Sequence, residues 1–156
     1  MNCKLLNIKD FKNVILNTPL ISIDLIIKNT KGEVLLGERT NEPAKGFLFV
    51  PGGRILKNET IPLAFERIIN TELDYSYDFN KAKFLGVFEH FYDNSFLDSS
   101  ISTHYIVLAY EVFLNLSLYQ LPLEQHKTFS WATIDEVFQS DKVHTYSKNY
   151  FYKVAN

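Results

Sequence analysis

Residues 52–73, GGRILKNETIPLAFERIINTEL, decide how the rest of the chain is read. A short apolar strand over 47–50 runs into Pro51-Gly52-Gly53, where two glycines let the backbone turn sharply and expose carbonyl oxygens. From Thr60 onward Ile61, Ala64, Phe65, Ile68, Ile69 and Leu73 recur at helical spacing. Pro62 falls in the first turn, where its missing N–H costs nothing. A carbonyl at the turn and the carboxylate of Glu72 on the helix are a suitable start for a magnesium site. That ion takes oxygen ligands and shares its shell with water and substrate phosphates. Arg54 and Arg67 offer the paired donors that grip phosphate. Taken alone the pattern is not specific, since Pro-Gly-Gly is a common turn and a charged helix is usually a solvated face.

Outward from this segment, strands and helices alternate irregularly. Asp10 can cap a short helix to about Leu16, which Thr18-Pro19 ends. Residues 20–28, LISIDLIIK, are rich in β-branched side chains and read as a strand. A turn at Asn29-Thr30-Lys31-Gly32 leads to the returning strand of a hairpin at 33–37. Residues 39–46 read as a polar loop, 83–91 as a strand, 92–100 as a loop and 104–114 as a long apolar strand. A loop over 115–127 precedes a short strand at 128–132, a helix from Thr133 and a last helical segment at about 145–153. The mixture predicts an α+β fold, an α/β/α sandwich with a mixed sheet between helices.

The 156 residues suit one domain over 1–156 with one core, and no linker, repeat or low-complexity tract divides them. Aromatics are abundant at 15%; most are read as core, and some are available to stack on a base or sugar. The net charge of −2 comes without a basic run, which argues against a polymeric nucleic-acid partner. The lone cysteine, Cys3, cannot form an intrachain disulfide and fits a reducing compartment. No apolar stretch is long enough to span a membrane, and no apolar region follows Lys4 as in a secretory signal, so a cytoplasmic location is expected.

The quoted segment resembles the Nudix box: a glycine, five residues, Glu, seven residues, then Arg-Glu-apolar-x-Glu-Glu-x-Gly. Gly53, Glu59, Arg67, Ile69 and Glu72 match it. Ile68 and Thr71 stand where two glutamates belong, and Asp74 replaces the final glycine. With two carboxylates missing, a second or third metal ion lacks charge compensation, so one ion and a base from outside the box are expected. The chain further resembles the GDP-mannose mannosyl hydrolases, a divergent Nudix subfamily. The matches include Leu35-Leu36-Gly37-x-Arg39-Thr40-Asn41, Phe49-Val50-Pro51-Gly52-Gly53-Arg54, Glu89-His90-Phe91-Tyr92-Asp93, Thr103-His104-Tyr105, Glu124-Gln125-His126 and Val143-His144.

That resemblance implies hydrolysis of GDP-mannose, or GDP-glucose, by attack of water on the anomeric carbon with inversion. It implies one Mg2+ per subunit, with Mn2+ as a substitute, held by the Gly52 carbonyl, Glu72 and Gln125, and a homodimer. It places the general base on His126, phosphate contacts on Arg39, Arg54, Arg67 and Tyr105, and Asp24 and His90 near the sugar. Other readings stay open. Glu59 and Arg67 also read as a structural pair, Asp24 as a solvent-face residue, His104 as a structural hydrogen-bonding group and His144 as a cap or packing residue. At the level of function, a conventional Nudix pyrophosphatase cutting a P–O bond and a non-catalytic nucleotide-sugar-binding domain remain alternatives.

Overall fold

The structure, a computed structural model, describes residues 5–152; Cys3 and the expected end of the last helix at Lys153 lie outside the described residues. A seven-stranded mixed sheet carries helices on both faces. Strand β1 (Leu20–Lys28) lies at its centre, parallel to β6 (Thr103–Phe113), and β5 (Lys83–Tyr92) pairs antiparallel with β6 at the far edge.

Side chains alternate across β1, as the two-residue period of a strand requires. Ile23, Leu25 and Ile27 face α2 (Ile61–Leu73), and Ile26 faces the other layer, where Val137 of α3 (Ile134–Gln139) and Tyr150 pack. Asp24 shares the Ile26 face and is buried, which removes the solvent-face reading.

The expected hairpin exists only at its tip. Asn29 Oδ1 accepts from the N–H groups of Lys31 and Glu33, and Lys28 pairs with Val34 of β2 (Val34–Arg39). Beyond that point the sheet forks. The edge of β1 is taken by β4 (Gly52–Arg54), with Asp24 opposite Gly52, while β2 turns away to pair with β3 (Leu48–Phe49) and β7 (His126–Ala132). Strand β7 therefore starts at His126, not Thr128, and Gly52-Gly53 is extended strand rather than a sharp turn.

The helix within the quoted segment forms as its spacing predicts. The Thr60 hydroxyl caps it by accepting from Leu63 N–H, and Ala64, Phe65, Ile68, Ile69 and Leu73 are buried, whereas Ile61 is exposed. It ends on Asp74 in the left-handed region (φ 50°), one of the few conformations of this kind that aspartate tolerates. At the N-terminal helix α1 (Ile8–Asn17) the cap is Asn7, whose side chain accepts from Asp10 N–H, so Asp10 sits in the first turn instead of capping it.

Phe65 is fully buried, with edge-on contacts to Phe79 (5.3 Å between centroids) and Tyr110 (5.6 Å). Phe65→Ala is expected to lower the unfolding free energy by about 3–5 kcal/mol through lost transfer energy and a residual cavity, measured by urea denaturation.

Candidate active site

The fork leaves a cavity of about 360 Å³ between the β1/β4 side and the β2 side. Asp24, Arg39, Gly52, Arg54, Arg67, Glu72, His90, Tyr105 and Gln125 all line it. Residues from six separate stretches of sequence thus meet at one place. His126 is not among the lining residues. It is buried, and its Nε2 lies 3.0 Å from Glu72 Oε2 while its Nδ1 has no partner among the described residues. Gly37 leaves room for this imidazole, because a Cβ at that position would collide with the ring.

The loop between β4 and α2 is held by one ion pair. Glu59 accepts from Arg67 Nε (2.6 Å) and Nη2 (2.9 Å) and from Leu56 N–H (2.9 Å), and Arg67 Nη2 also donates to the Arg54 carbonyl (2.8 Å). This is the structural pairing of Glu59 and Arg67. It fixes the loop that presents Gly52 and Gly53 to the helix.

Two arginines face the cavity without a carboxylate partner among the described residues. Arg39 Nε donates to the Pro43 carbonyl (2.8 Å), and the Arg54 guanidinium stacks over Phe11 at 3.8 Å from the ring centroid. Burial lowers the pKa of Arg54, though Tyr105 acts in the opposite sense. Burial also pushes the Tyr105 phenol up, against the pull of Arg54 and Arg39, so that it keeps its proton and can donate a hydrogen bond. An anion is the ligand such a surface favours.

On the opposite wall, Tyr150 Oη lies 2.6 Å from Asp24 Oδ2 and 3.2 Å from His90 Nε2. Burial raises the Asp24 carboxyl to about 7, with the Tyr150 hydrogen bond and Arg39 opposing. Burial, with His144 adding, lowers His90 to about 3, which keeps it neutral. His144 caps α4 (Thr145–Asn149) through Nδ1, accepting from Tyr146 N–H, and packs on Phe47 and Phe49. His104 stacks on Phe91, 4.3 Å away, on β6. Tyr92, which lines the cavity, and Tyr150, which bonds to Asp24 and His90, were given no role by the sequence reading; Tyr92 lies in a matched stretch, whereas Tyr150 belongs to no local motif.

The chemistry of the donor set bears on a magnesium ion. Glu72 is a buried carboxylate with no Lys or Arg partner among the described residues, and the Gln125 backbone is pinned by Thr40, whose N–H and hydroxyl both donate to its carbonyl. Gly52, Glu72 and Gln125, each of which carries an oxygen donor, line the same cavity. One carboxylate with neutral oxygens suits a hard cation that takes the rest of its shell from water and phosphate. Among the described residues there is no group of three or more His, Cys, Asp or Glu side chains that could hold a metal ion, so an ion here would rest on Glu72 with neutral oxygens.

A family model described as NUDIX domain matches residues 18–154. The low-salt glycan biosynthesis protein Agl8 of Haloferax volcanii is 45% identical over 106 residues, covering 68% of this chain and 66%, just under two thirds, of that protein. Among solved structures, the MutT NUDIX hydrolase of Burkholderia pseudomallei superposes with a TM-score of 0.71 at 20% identity, over 89% of this chain and 100% of that one. The NUDIX domain of Shewanella oneidensis NrtR, solved with ADP ribose, superposes with a TM-score of 0.62 at 14% identity, over 93% and 96%. No helix among the described residues is long and apolar enough to cross a membrane.

The Glu59 clamp has a consequence for acid stability. Hydrogen bonds from Arg67, with Leu56 N–H adding, hold its carboxyl below the ordinary 4.5. A depressed carboxylate stabilises the fold fully above that ordinary value, and the contribution fades as pH falls through the folded-state pKa. Glu59→Gln is expected to be less stable than the parent above about pH 4.5, with the gap narrowing below it, read by denaturation across the acid range.

Proposed function

The chain belongs to the Nudix family of hydrolases, and we propose that it cleaves the glycosyl–phosphate C–O bond of a nucleotide sugar, GDP-mannose or GDP-glucose, releasing GDP and the free sugar. The observation that carries this reading is the donor set on α2. Ile68 is buried against Gly53 and Thr71 is exposed, so Glu72 is the one carboxylate left on that turn. Attack on phosphorus by a water held between several ions lacks the ligands it needs. Attack on carbon asks only that the departing diphosphate be stabilised. The name of the Haloferax relative places that protein in glycan biosynthesis, and the NrtR domain holds a sugar joined to a diphosphate; both favour a sugar-bearing substrate.

Nudix hydrolases generally use a divalent cation such as Mg2+. Here the Gly52 carbonyl, Glu72 and Gln125 would hold one, with Mn2+ as a substitute, and its chemistry is that of a Lewis acid on the diphosphate. Arg39 and Arg54 neutralise the anion, and Arg67, tied to Glu59, stands at the same wall. The protonated Tyr105 donates to the oxygen that leaves with the bonding pair. Asp24 and His90 face the sugar. Water adds to the anomeric carbon from the side away from the diphosphate, and its proton passes to His126 Nε2. For this the imidazole must exchange Glu72, which it contacts at 3.0 Å from a buried seat on the first residue of β7, for the attacking water. The reading includes a homodimer.

A second reading is conventional P–O cleavage, which the burial of His126 and its contact with Glu72 favour. Hydrolysis in isotopically labelled water separates the two: label is expected in the sugar, and label in phosphate with a nucleoside monophosphate product overturns C–O cleavage. His126→Ala is expected to lower kcat by about 10²–10⁴-fold, as loss of a general base does, with substrate binding retained; steady-state kinetics and calorimetric titration measure both.

A further inference from the structure

The scheme above leaves one buried polar group at the site unused. Tyr150 follows the last turn of α4, and three side chains of this segment bond to the walls of the cavity. Tyr146 Oη accepts from Phe91 N–H and donates to its carbonyl, at 2.8 Å each, while Ser147 Oγ accepts from Val50 N–H at 3.1 Å. Tyr150 Oη stands between Asp24 Oδ2, at 2.6 Å, and His90 Nε2, at 3.2 Å.

A phenol has one proton and donates it once. The two distances say where it goes. A separation of 2.6 Å is that of an O–H donated to a carboxylate. One of 3.2 Å is long for O–H donation to nitrogen and lies within the range of N–H donation to oxygen. The chain then runs from His90 Nε2–H to Tyr150 Oη, and from Tyr150 O–H to Asp24.

We propose that Tyr150 is a positioning residue that fixes neutral His90 as its Nε2–H tautomer and leaves Nδ1 as an acceptor for a hydroxyl of the substrate's sugar. The assignment of the hydroxyl rests on the nucleotide-sugar reading of the cavity; the tautomer does not. The His90 ring lines the cavity and is stacked on Tyr146 at 4.2 Å and 7°, which holds its plane. Its Nδ1 makes no hydrogen bond among the described residues. Burial and Asp24 push the Tyr150 phenol well above its ordinary value, so its proton stays in the chain. A tyrosine is suited to this place because it donates and accepts through one atom, which ties a carboxylate to an imidazole without a net charge of its own. The geometry also predicts a preference for sugars with a hydroxyl where Nδ1 points, since a deoxy analogue would leave a buried acceptor unpaired.

The test is the 15N spectrum of histidine-labelled protein at mildly alkaline pH, with His90→Asn to assign the signal. The proposal expects a protonated Nε2 and an unprotonated Nδ1 at His90 in the unaltered protein. In Tyr150→Phe it expects a mixture of tautomers and a kcat for nucleotide-sugar hydrolysis lower by about tenfold to a hundredfold, with KM less affected, the pattern of a displaced rather than a deleted group. An Nδ1–H tautomer in the unaltered protein overturns it, because the relay then runs the other way from a protonated Asp24. So does a folded Tyr150→Phe with unchanged tautomer and kcat. If Tyr150→Phe does not fold, the spectrum of the unaltered protein decides. An Nε2–H tautomer in a protein that hydrolyses no nucleotide sugar supports the relay and overturns the substrate reading alone.

Discussion

The site depends on how closely the β4 backbone approaches β1. Gly52 lies opposite Asp24, and a Cβ there would stand 2.5 Å from Asp24 Oδ1 and 2.7 Å from the Ile23 carbonyl. Any side chain at this position would drive β4 off the edge of β1 or push Asp24 out of the cavity. With β4 seated, β1 cannot continue its hairpin with β2, and the sheet forks. The cavity is the space the fork opens, so the same contact that closes the core also makes the site. Gly37 plays the matching part on the other branch, where it admits the His126 imidazole.

Charge is then confined in a place where it needs partners. Glu72 and Asp24 are buried carboxylates, Arg39 and Arg54 face them across the cavity, and among the described residues no salt bridge joins the two sets. Unpaired buried charge is costly unless a ligand completes it. Within the chain Glu72 contacts His126 and Asp24 accepts from Tyr150; in the proposed reading a diphosphate with its cation would supply both signs to the two sets at once. The Glu59–Arg67 pair is satisfied within the chain and serves the loop; it marks the boundary between charge that holds structure and charge kept for a ligand.

The helix of the quoted segment and the central strand were legible because their apolar periodicities run long: Ala64 to Leu73 on one face, and the β-branched run of β1. Strand β4 was not legible, since three residues, two of them glycine, look like a turn until their pairing partner is known. The start of β7 was hidden for a related reason, because Lys127 and Thr128 are polar and exposed on a strand whose inward residue is a histidine. The candidate residues that the box and the matched segments point to meet at one cavity, all except His126. Tyr150 was not legible: it sits in a short C-terminal turn of no motif, and its meaning comes from partners 126 and 60 positions away.

The position of Ile68 ties these threads together. It falls on the core face of α2, is 1% exposed, and its Cγ1 lies 3.1 Å from where a Cβ on Gly53 would be. Ile68 also lines the cavity, so a glutamate in that seat would bring a second carboxylate to it, at the cost of setting its charge beside the β4 backbone. The apolar substitution tightens the scaffold and at the same time removes a ligand. With Thr71 exposed beside it, α2 offers the cavity one carboxylate, Glu72, and it is on this donor set that the proposed attack on carbon rests. In the proposed reading the base then comes from the opposite branch of the fork, where β7 begins with His126.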